Sequence, residues 1–423
     1  MDGSWMREEP VTRAGTTAEE AGATAVPRRT GLDPVKMLFV AFGSFGVMFG
    51  VWQVVLADLR RALDVSEGPL GLAITVSVIA SFPAMLAAGR VADRLGVRVL
   101  IAGGALSMAC VFLAVTQIGS YGALVMTILV FLTSSGIYDV GINASAVTEE
   151  RRTGRPIMSL FHAAFSAGGA TGAILAGVGI AAGVPFRSLY VVVACLLAAV
   201  AALFWVAGER GRPRPASDAP AGRGSLLRNP MVVTLAIIVS LAFLGEGAME
   251  TWSSIYLRDF LGFSAVVGAS GVAVFHLAMA TGRATTSLIV RRLGRARTLT
   301  VAGALAAVGN VVALGTERAP LILAGFILVG VALSSVAPVA LSLGGDLLPE
   351  RTGQVSAMLM TIGYAGFSIG PSVIGATAEL ASLRLALTIV TLVGLAIIWL
   401  STRVRENAMG EQRTTEDRAV PAA

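Results

Sequence analysis

Long apolar segments alternate with short polar ones along most of the chain. Twelve of these segments approach or exceed the ~20 residues that a helix needs to cross a ~30 Å hydrocarbon core. We therefore predict an all-α membrane protein with twelve transmembrane helices, of which the eighth is long enough to tilt or to extend beyond the bilayer. The predicted spans are 37–57, 70–88, 99–117, 121–144, 157–181, 187–207, 231–251, 264–290, 298–315, 320–344, 355–378 and 384–401.

The spans form two sets of six, and short motifs repeat between the sets at a spacing near 200 residues. Trp52 is matched by Trp252, and Leu-Ala-Asp-Leu at 56–59 is matched by Leu-Arg-Asp-Phe at 257–260. Two pseudo-symmetric six-helix halves in parallel repeat are typical of transporters that rock one half against the other around a central site. A duplicated structural bundle would give the same pattern.

Polar segments at the ends and in the middle set the predicted domain limits. Residues 1–36 contain no apolar run, so we expect a disordered tail and not a cleavable signal peptide. The N-terminal half is 37–207 and the C-terminal half is 231–401. Between them, 208–230 is rich in Arg, Pro, Gly and Ala, as linkers are, and 402–423 forms a second tail.

Composition and charge agree with a membrane protein. The chain is 55% apolar and 14% charged, whereas soluble domains carry roughly 25% charged residues. Of the 32 basic residues, 26 fall in segments on the side of the N-terminus, which predicts that both termini and the linker are cytoplasmic and that the protein lies in the cell membrane. The net charge of +6 is scattered among loops, so we predict no nucleic-acid partner. Cys110 and Cys195 lie inside apolar runs, so we expect buried thiols without a disulfide.

A charged segment, Gly89–Arg98, separates the second and third spans, and we predict a ten-residue turn at the cytoplasmic surface. Gly89 and Gly96 permit close approach and tight turning. Asp93 is suited to face the positive N-terminus of a helix from the other half, while Arg94 and Arg98 are suited to bind carboxylates or anionic lipid headgroups. If the arginines served topology alone, Asp93 would have no role.

The pattern Gly89-x-x-x-Asp93-Arg94-x-Gly96-x-Arg98 resembles the signature loop between helices 2 and 3 of the major facilitator superfamily. Gly363-Tyr364-x-Gly366-x-x-x-Gly370-Pro371 in the eleventh span is similar to another feature of that family, and the resemblance covers about residues 37–401. It implies the twelve-helix fold, transport by alternating access, and a loop that holds the cytoplasmic side shut in the outward-open state. The second copy of the loop has no acidic residue among 284–290, so this latch is implied for the N-terminal half alone.

Two further resemblances concern subgroups of the family. Tyr138-Asp139-x-Gly141-x-Asn143, followed by Glu149–Pro156, resembles bacterial permeases near the fucose-permease-like branch. Gly168-Gly169-x-x-Gly172 resembles the antiporter motif of helix 5, which hints at efflux, although the proline expected there is missing.

Polar residues inside the fourth span share one helical face. Ser135, Asp139 and Asn143 follow i, i+4, i+8 spacing. Because an ionised Asp in hydrocarbon costs ~3 kcal/mol or more, we expect Asp139 to line a cavity. It is a candidate for proton coupling, with Ser135 and Asn143 as candidate substrate contacts. A helix-packing hydrogen bond made by a neutral acid is the alternative.

His162 lies in the fifth span at a depth similar to that of Asp139, because both are similarly far from the connecting loop. An Asp–His pair could pass a proton near neutral pH, so His162 is a second coupling candidate. The alternative is a histidine whose hydrogen bonds are satisfied by Ser159 or Ser166, which share its face.

The C-terminal half carries Glu246 and Glu250 one turn apart in the seventh span. Two carboxylates that close cannot both carry a charge cheaply in a low dielectric. Glu246 is a third coupling candidate, and Glu250, predicted near the outer surface, is either a cavity residue or interfacial. His276 shares a face with Arg283 in the eighth span and is a cavity or a packing residue, while Arg283 could belong to the inner surface.

Gln53 and Trp52 are the candidate cavity residues of the first span. An aromatic belt at the membrane interfaces also accounts for Trp52, together with Trp252, Trp205 and Trp399.

These features favour a secondary active transporter, working as a monomer, that moves a small organic solute in exchange for or together with protons. The chain has no Walker A motif, so we expect an ion gradient to supply the energy and no cofactor to be needed. Uptake of a polar metabolite and export of an amphipathic compound both remain open. A polytopic membrane enzyme or a channel is the alternative from another class, but His-Glu-x-x-His and Gly-x-Ser-x-Gly patterns are missing, and neither a metal site nor catalytic residues are predicted.

Overall fold

The computed structural model describes residues 32–154, 157–208, 226–348 and 351–404. Within these ranges, twelve helical spans are long and apolar enough to cross a membrane, which confirms the predicted all-α fold. The seventh span ends in a π-helical turn, Tyr256–Phe260, and the twelfth consists of a short helix and a longer one. The helices are α1 (Pro34–Ala62), α2 (Glu67–Leu95), α3 (Val97–Val115), α4 (Tyr121–Thr153), α5 (Met158–Ala181), α6 (Phe186–Ala207), α7 (Pro230–Ile255), α8 (Ala265–Leu293), α9 (Arg295–Leu314), α10 (Ala319–Leu347), α11 (Thr352–Leu380), α12 (Leu383–Ala386) and α13 (Thr388–Ser401).

The first helix of each half begins in the same way. Asp33 accepts a hydrogen bond from the backbone N–H of Val35 at 3.0 Å, and Asn229 accepts one from Met231 at 2.9 Å. A proline follows each cap, at a position where a helix needs no backbone donor. The seventh span therefore begins at Pro230, one residue before its predicted start. We call the face at which α1 and α7 begin the near face, and the opposite face the far face.

Helix packing repeats between the halves. In the N-terminal half α1 packs on α5, α2 on α4, and α3 on α4 and α6. In the C-terminal half α7 packs on α11, α8 on α10, and α9 on α10 and α13. The halves meet along α2 with α11 and along α5 with α8, two pairs that the same pseudo-symmetry relates. A central space between the halves is thus bounded mainly by α1, α2, α4 and α5 on one side and by α7, α8, α10 and α11 on the other.

Tight packing of α1 on α5 depends on glycines. A Cβ atom at Gly46 would lie 1.9 Å from the carbonyl oxygen of Phe165, and one at Gly50 would lie 2.0 Å from that of Gly169. Both distances are far inside van der Waals contact, so only glycine lets the two backbones come this close. The two helices therefore form one rigid wall beside the central space.

The predicted ten-residue turn at Gly89–Arg98 is wrong. α2 remains helical to Leu95 and α3 starts at Val97, so Gly96 alone separates them, with a φ of 85°. Gly294 separates α8 from α9 in the same way, with a φ of 78°. Charged side chains do not end a helix that has left the hydrocarbon, because water solvates them while the backbone keeps its hydrogen bonds. The break occurs where glycine permits a positive φ.

Two expectations about exposure also need correction. Trp252 is completely buried and Trp52 is 7% exposed, so neither belongs to an interfacial belt, whereas Trp205 and Trp399 are more than half exposed. Cys110 and Cys195 are free, as expected, but exposed on the outside of the helical bundle. In both cases hydropathy indicated the span correctly but not which side of the helix faces the other helices.

Candidate functional site

The acidic residue of α4 is paired with an amide one turn away. Asn143 donates from Nδ2 to Oδ1 of Asp139 at 2.8 Å and to its backbone carbonyl at 2.9 Å. Among the described residues no cation lies within ion-pair distance of Asp139. Ser135 donates to the carbonyl oxygen of Leu132 within its own helix, so it does not bind the carboxyl group. The predicted polar face therefore brings Asp139 and Asn143 together but leaves Ser135 apart.

His162 does not pair with Asp139 in the described part of the chain. Its ring packs edge-on against Phe42, with 5.4 Å between ring centroids. The side chain of Ser159 lies outside the described residues, and the hydroxyl of Ser166 is buried without a hydrogen-bond partner. In the part of the chain that the structure describes, His162 pairs neither with Asp139 nor with Ser166, and its ring turns toward α1.

Glu246 and Arg283 form an ion pair inside the C-terminal half. The Nη2 atom of Arg283 lies 3.1 Å from Oε1 of Glu246. The Arg283 side chain is 33% exposed and that of Glu246 is 18% exposed, so space accessible to solvent reaches both charges. Since charges within a membrane-spanning segment normally face a partner or a water-filled cavity, this pair marks the wall of the central space. Arg283 thus belongs to the interior and not to the inner surface.

His276 joins the two halves at the centre of the molecule. Its Nε2 atom lies 2.9 Å from Oε1 of Gln53, and both side chains are almost fully buried. Phe165 of α5 and Phe275 of α8 each meet the imidazole edge to face, at 6.3 Å between centroids. The Gln53–His276 hydrogen bond therefore links α1 to α8 in this conformation.

Glu250 lines a cavity between the halves, together with Gln53 and Trp52. The cavity is otherwise mainly apolar, with Phe49 and Phe367 among its walls. Because α7 and its π-helical turn continue for ten residues past Glu250, this carboxyl group lies well inside the protein. Of the two predicted alternatives, a cavity residue and an interfacial one, the structure shows the first. The second arose because the predicted seventh span ended at residue 251.

Ion pairs close the far end of this cavity, and sequence analysis missed them. Arg258 at the end of α7 binds both carboxylate oxygens of Asp58 on α1, at 2.6 and 2.8 Å, and also donates to the carbonyl oxygen of Val54 at 3.0 Å. Arg60 of α1 binds Oδ2 of Asp259 at 2.7 Å. The pairs are crossed, with one acid and one arginine supplied by each half.

Neighbouring charges extend this network. Arg60 also binds Glu67 of α2 at 2.8 Å, and Arg61 lies 2.8 Å from Asp58 and 3.5 Å from Asp259. The sequence contains one signal for this network. An Asp with neighbouring arginines is repeated at the end of the first helix of each half.

The π-helical turn explains the register of this repeat. Trp52 and Trp252 are 200 residues apart, but Asp58 and Asp259 are 201 apart. Within the turn, the backbone N–H of Leu261 bonds to the carbonyl of Tyr256, five residues back, so the helix accommodates one extra residue. The inserted residue lets an arginine and an aspartate from α7 both face α1.

The contact between α2 and α11 also lies toward the far face. The backbone N–H of Gly68 donates to Glu379 at 3.1 Å, and Thr75 donates to the carbonyl oxygen of Ser368 at 2.6 Å. The backbone N–H of Ser372 donates to the hydroxyl oxygen of Thr75 at 3.2 Å. Polar contacts therefore join the halves from the central cavity to the far face.

The near-face motif is only partly described. Gly89 and Asp93 lie on α2, in a part whose side chains lie outside the described residues. Arg94 is exposed. Arg98 donates to the carbonyl oxygen of Trp205 at 3.2 Å and stacks over its ring, so it binds α6 of its own half and not a carboxylate of the other.

Known proteins match nearly the whole chain. The sequence model of the Major Facilitator Superfamily matches residues 37–315 and 272–422. An uncharacterised MFS-type transporter of Yersinia pestis is 29% identical over 360 residues, which make up 85% of this chain and 92% of that protein. The membrane protein MosC of Rhizobium meliloti is 25% identical over 366 residues, 85% of this chain and 87% of MosC.

Solved structures show the same fold. The nucleoside transporter NupG superposes with a TM-score of 0.71 at 15% identity, over 89% of this chain and 98% of that one. A bacterial homologue of the human lysosomal transporter Spinster gives a TM-score of 0.69 at 14% identity, over 89% and 99% of the two chains. At these identities the likeness concerns the fold alone.

Proposed function

Because this chain belongs to the major facilitator superfamily, we propose that it is a secondary active transporter that moves a small organic solute by alternating access and couples this movement to protons. Membership of the family accounts for transport itself. The class of solute and the coupling ion rest on the side chains of the central space.

The observation that carries the proposal is the crossed pair of salt bridges at the far face. Asp58–Arg258 and Arg60–Asp259 connect α1 to the π-helical turn that follows α7, while the cavity lined by Gln53 and Glu250 lies between the same helices below them. Ion pairs can separate and re-form without disturbing the apolar cores of the two halves, so they suit a contact that must open in every cycle. A permanently closed bundle would gain more from apolar packing at this position.

The near face is cytoplasmic in this proposal, since 25 of the 32 basic residues, with Arg283 left out, fall in segments on that side. The described conformation is then closed toward the outside of the cell membrane. A single chain suffices, because the cavity lies between two halves of one polypeptide.

Asp139 is the leading candidate for proton coupling. Its carboxyl group binds the neutral amide of Asn143 through one oxygen and leaves the other free to take up a proton. Glu246 is held by Arg283, and His162 faces Phe42, so both are less suited to exchange a proton during transport.

Transport by purified protein in proteoliposomes tests the proposal. Labelled nucleosides, sugars, polyols and organic amines are each offered with an inward pH gradient, with an outward one, and with none. A proton-coupled transporter accumulates its solute under one gradient direction and only equilibrates it without a gradient. Equal flux under all three conditions would indicate a channel, and the absence of flux for every solute would contradict the proposal. The gradient direction that supports accumulation also decides between uptake and export.

A further inference from the structure

Among the acidic side chains that the structure describes in the interior, Glu250 stands apart. Among the described residues, Glu246 is paired with Arg283, and Asp58 and Asp259 are paired with arginines of the opposite half. Glu250 has neither an ion pair nor a hydrogen bond there, although it is largely buried and lines the cavity. A buried carboxylate without a counter-charge is costly, so such a group is retained where something else supplies the charge.

No cation among the described residues lies within ion-pair distance of Glu250. On its own helix the nearest titratable group is Glu246, another acid, one turn away. On α8 the guanidinium of Arg283 is bound to Glu246, and the imidazole of His276 is bound to Gln53 of α1. The cavity walls contributed by α2, α4 and α11 are apolar side chains.

Aromatic rings surround the same space. Phe49 and Trp52 on α1 and Phe367 on α11 line the cavity with Glu250. Phe131 of α4 supports the first two, at centroid distances of 5.8 Å and 4.9 Å. The face of an aromatic ring carries negative charge, which attracts cations, most strongly for tryptophan. The rings also offer apolar surface to the body of a ligand.

We propose that the cavity at Glu250 binds an organic cation, whose positive centre meets the Glu250 carboxylate and whose apolar body lies against Phe49, Trp52 and Phe367. This inference rests on the proposed function, because it names the class of solute that the transporter carries. An anionic solute would be repelled by Glu250. A neutral solute would leave the charge of the Glu250 carboxylate unpaired.

The position of the cavity agrees with this occupant. Leu56 lines the cavity two residues before Asp58, so the Asp58–Arg258 ion pair separates the site from the far face. An organic cation held there is enclosed on the side that the crossed ion pairs close.

Three probes with one carbon skeleton test the proposal. 2-Phenylethylamine is a cation at neutral pH, 2-phenylethanol is neutral, and phenylacetate is an anion. Their binding to the purified full-length protein is measured by isothermal titration calorimetry. We expect the amine to bind at least tenfold more tightly than either of the others.

Variants of Glu250 identify the source of this preference. Glu250→Gln should reduce the affinity for the amine at least tenfold, whereas Glu250→Asp, which keeps the charge, should retain the preference for the cation. Glu317→Gln makes the same chemical change at an exposed residue outside the cavity and should leave binding unchanged. Size-exclusion profiles and melting temperatures establish that each variant is folded.

Equal binding of amine and alcohol, an unchanged preference in Glu250→Gln, or no binding of the amine up to about 10 mM would overturn the proposal. Its failure can be distinguished from failure of the transport function. Proton-driven accumulation of neutral or anionic solutes alone would refute the cation site while leaving the transporter in place. Selective binding of the amine without flux would support the site and contradict transport.

Discussion

The salt bridge between Asp58 and Arg258 should hold the far face closed. The two side chains are 14% and 5% exposed and make two hydrogen bonds of 2.6 and 2.8 Å. Asp58→Asn removes the countercharge while leaving the size of the side chain almost unchanged. Arg258 then keeps only its bond to the Val54 carbonyl and a weaker one to the new amide.

The size of the effect follows from burial. Removal of one member of a buried ion pair costs about 3–5 kcal/mol, while an exposed pair contributes about 1 kcal/mol or less. Because this pair lies at the end of a span and Arg258 retains the Val54 contact, we expect a loss of about 2–3 kcal/mol in the closed state. At 1.4 kcal/mol for each factor of ten, the open population should rise about 30- to 150-fold, up to the limit at which the open state dominates.

Cysteine accessibility measures this change. Leu56 lines the cavity beneath the ion pair and is 1% exposed, so Leu56→Cys reports opening of the far face. The background carries Cys110→Ser and Cys195→Ser, since both native thiols are exposed. A membrane-impermeant maleimide is added to the outside of intact cells, and its initial rate of reaction is recorded with and without Asp58→Asn.

Arg61→Gln is the matched control. The Arg61 side chain is 49% exposed, binds Asp58 within its own helix, and lies 3.5 Å from Asp259 of the other half, a longer contact than those of Arg60 and Arg258. Its loss should therefore change the labelling rate about twofold or less. The double variant Asp58→Asn with Arg258→Gln has no unpaired charge at this position. It should therefore react with the maleimide more slowly than the variant with Asp58→Asn alone. Equal labelling of Asp58→Asn and its parent, or labelling of Arg61→Gln as fast as Asp58→Asn, would refute this reasoning.

Three more predictions concern the interior. Asp139→Asn should abolish proton-driven accumulation but preserve counterflow exchange in proteoliposomes, and if accumulation survives, Asp139 has only a structural role. Glu246→Gln should lower the free energy of unfolding by about 3 kcal/mol, because it leaves the Arg283 charge without its partner. Adding Arg283→Met removes the unpaired charge and should partly restore the melting temperature. If the melting temperature is not restored, the unpaired charge is not the cause. Gly46→Ala should prevent recovery of monodisperse protein, because its Cβ would lie 1.9 Å from a backbone oxygen, whereas Gly43→Ala, with 4.0 Å to the nearest atom, should behave as the parent.

The transmembrane helices were predictable because the bilayer imposes one length on all of them. Hydropathy gave all twelve spans, and the repeat of Trp52 at Trp252 indicated two related halves. Hydropathy fails where a helix leaves the hydrocarbon, since charged residues can continue a helix in water. α2 therefore extends to Leu95, and α7 with its π-helical turn extends to Phe260, beyond the predicted limits.

The partners of the polar residues were harder to predict than their location. Periodicity placed Asp139 and Asn143 on one face of α4, and the structure confirms their contact. Gln53 and His276 lie 223 residues apart and in different halves, so nothing local in the sequence relates them. The same holds for the Arg258–Asp58 pair, whose partners come together only through the packing of α1 on α7.

Locking the far face with a disulfide tests alternating access most directly. An ideal Cβ at Gly68 would lie 3.4 Å from the Cβ of Glu379, close to the separation found in disulfides. Gly68→Cys with Glu379→Cys, in the background that lacks Cys110 and Cys195, therefore links α2 to α11 under oxidation. If the far face must open in every cycle, proton-driven transport stops when the bond forms and resumes when it is reduced. Transport that continues at the full rate in the cross-linked protein would contradict alternating access.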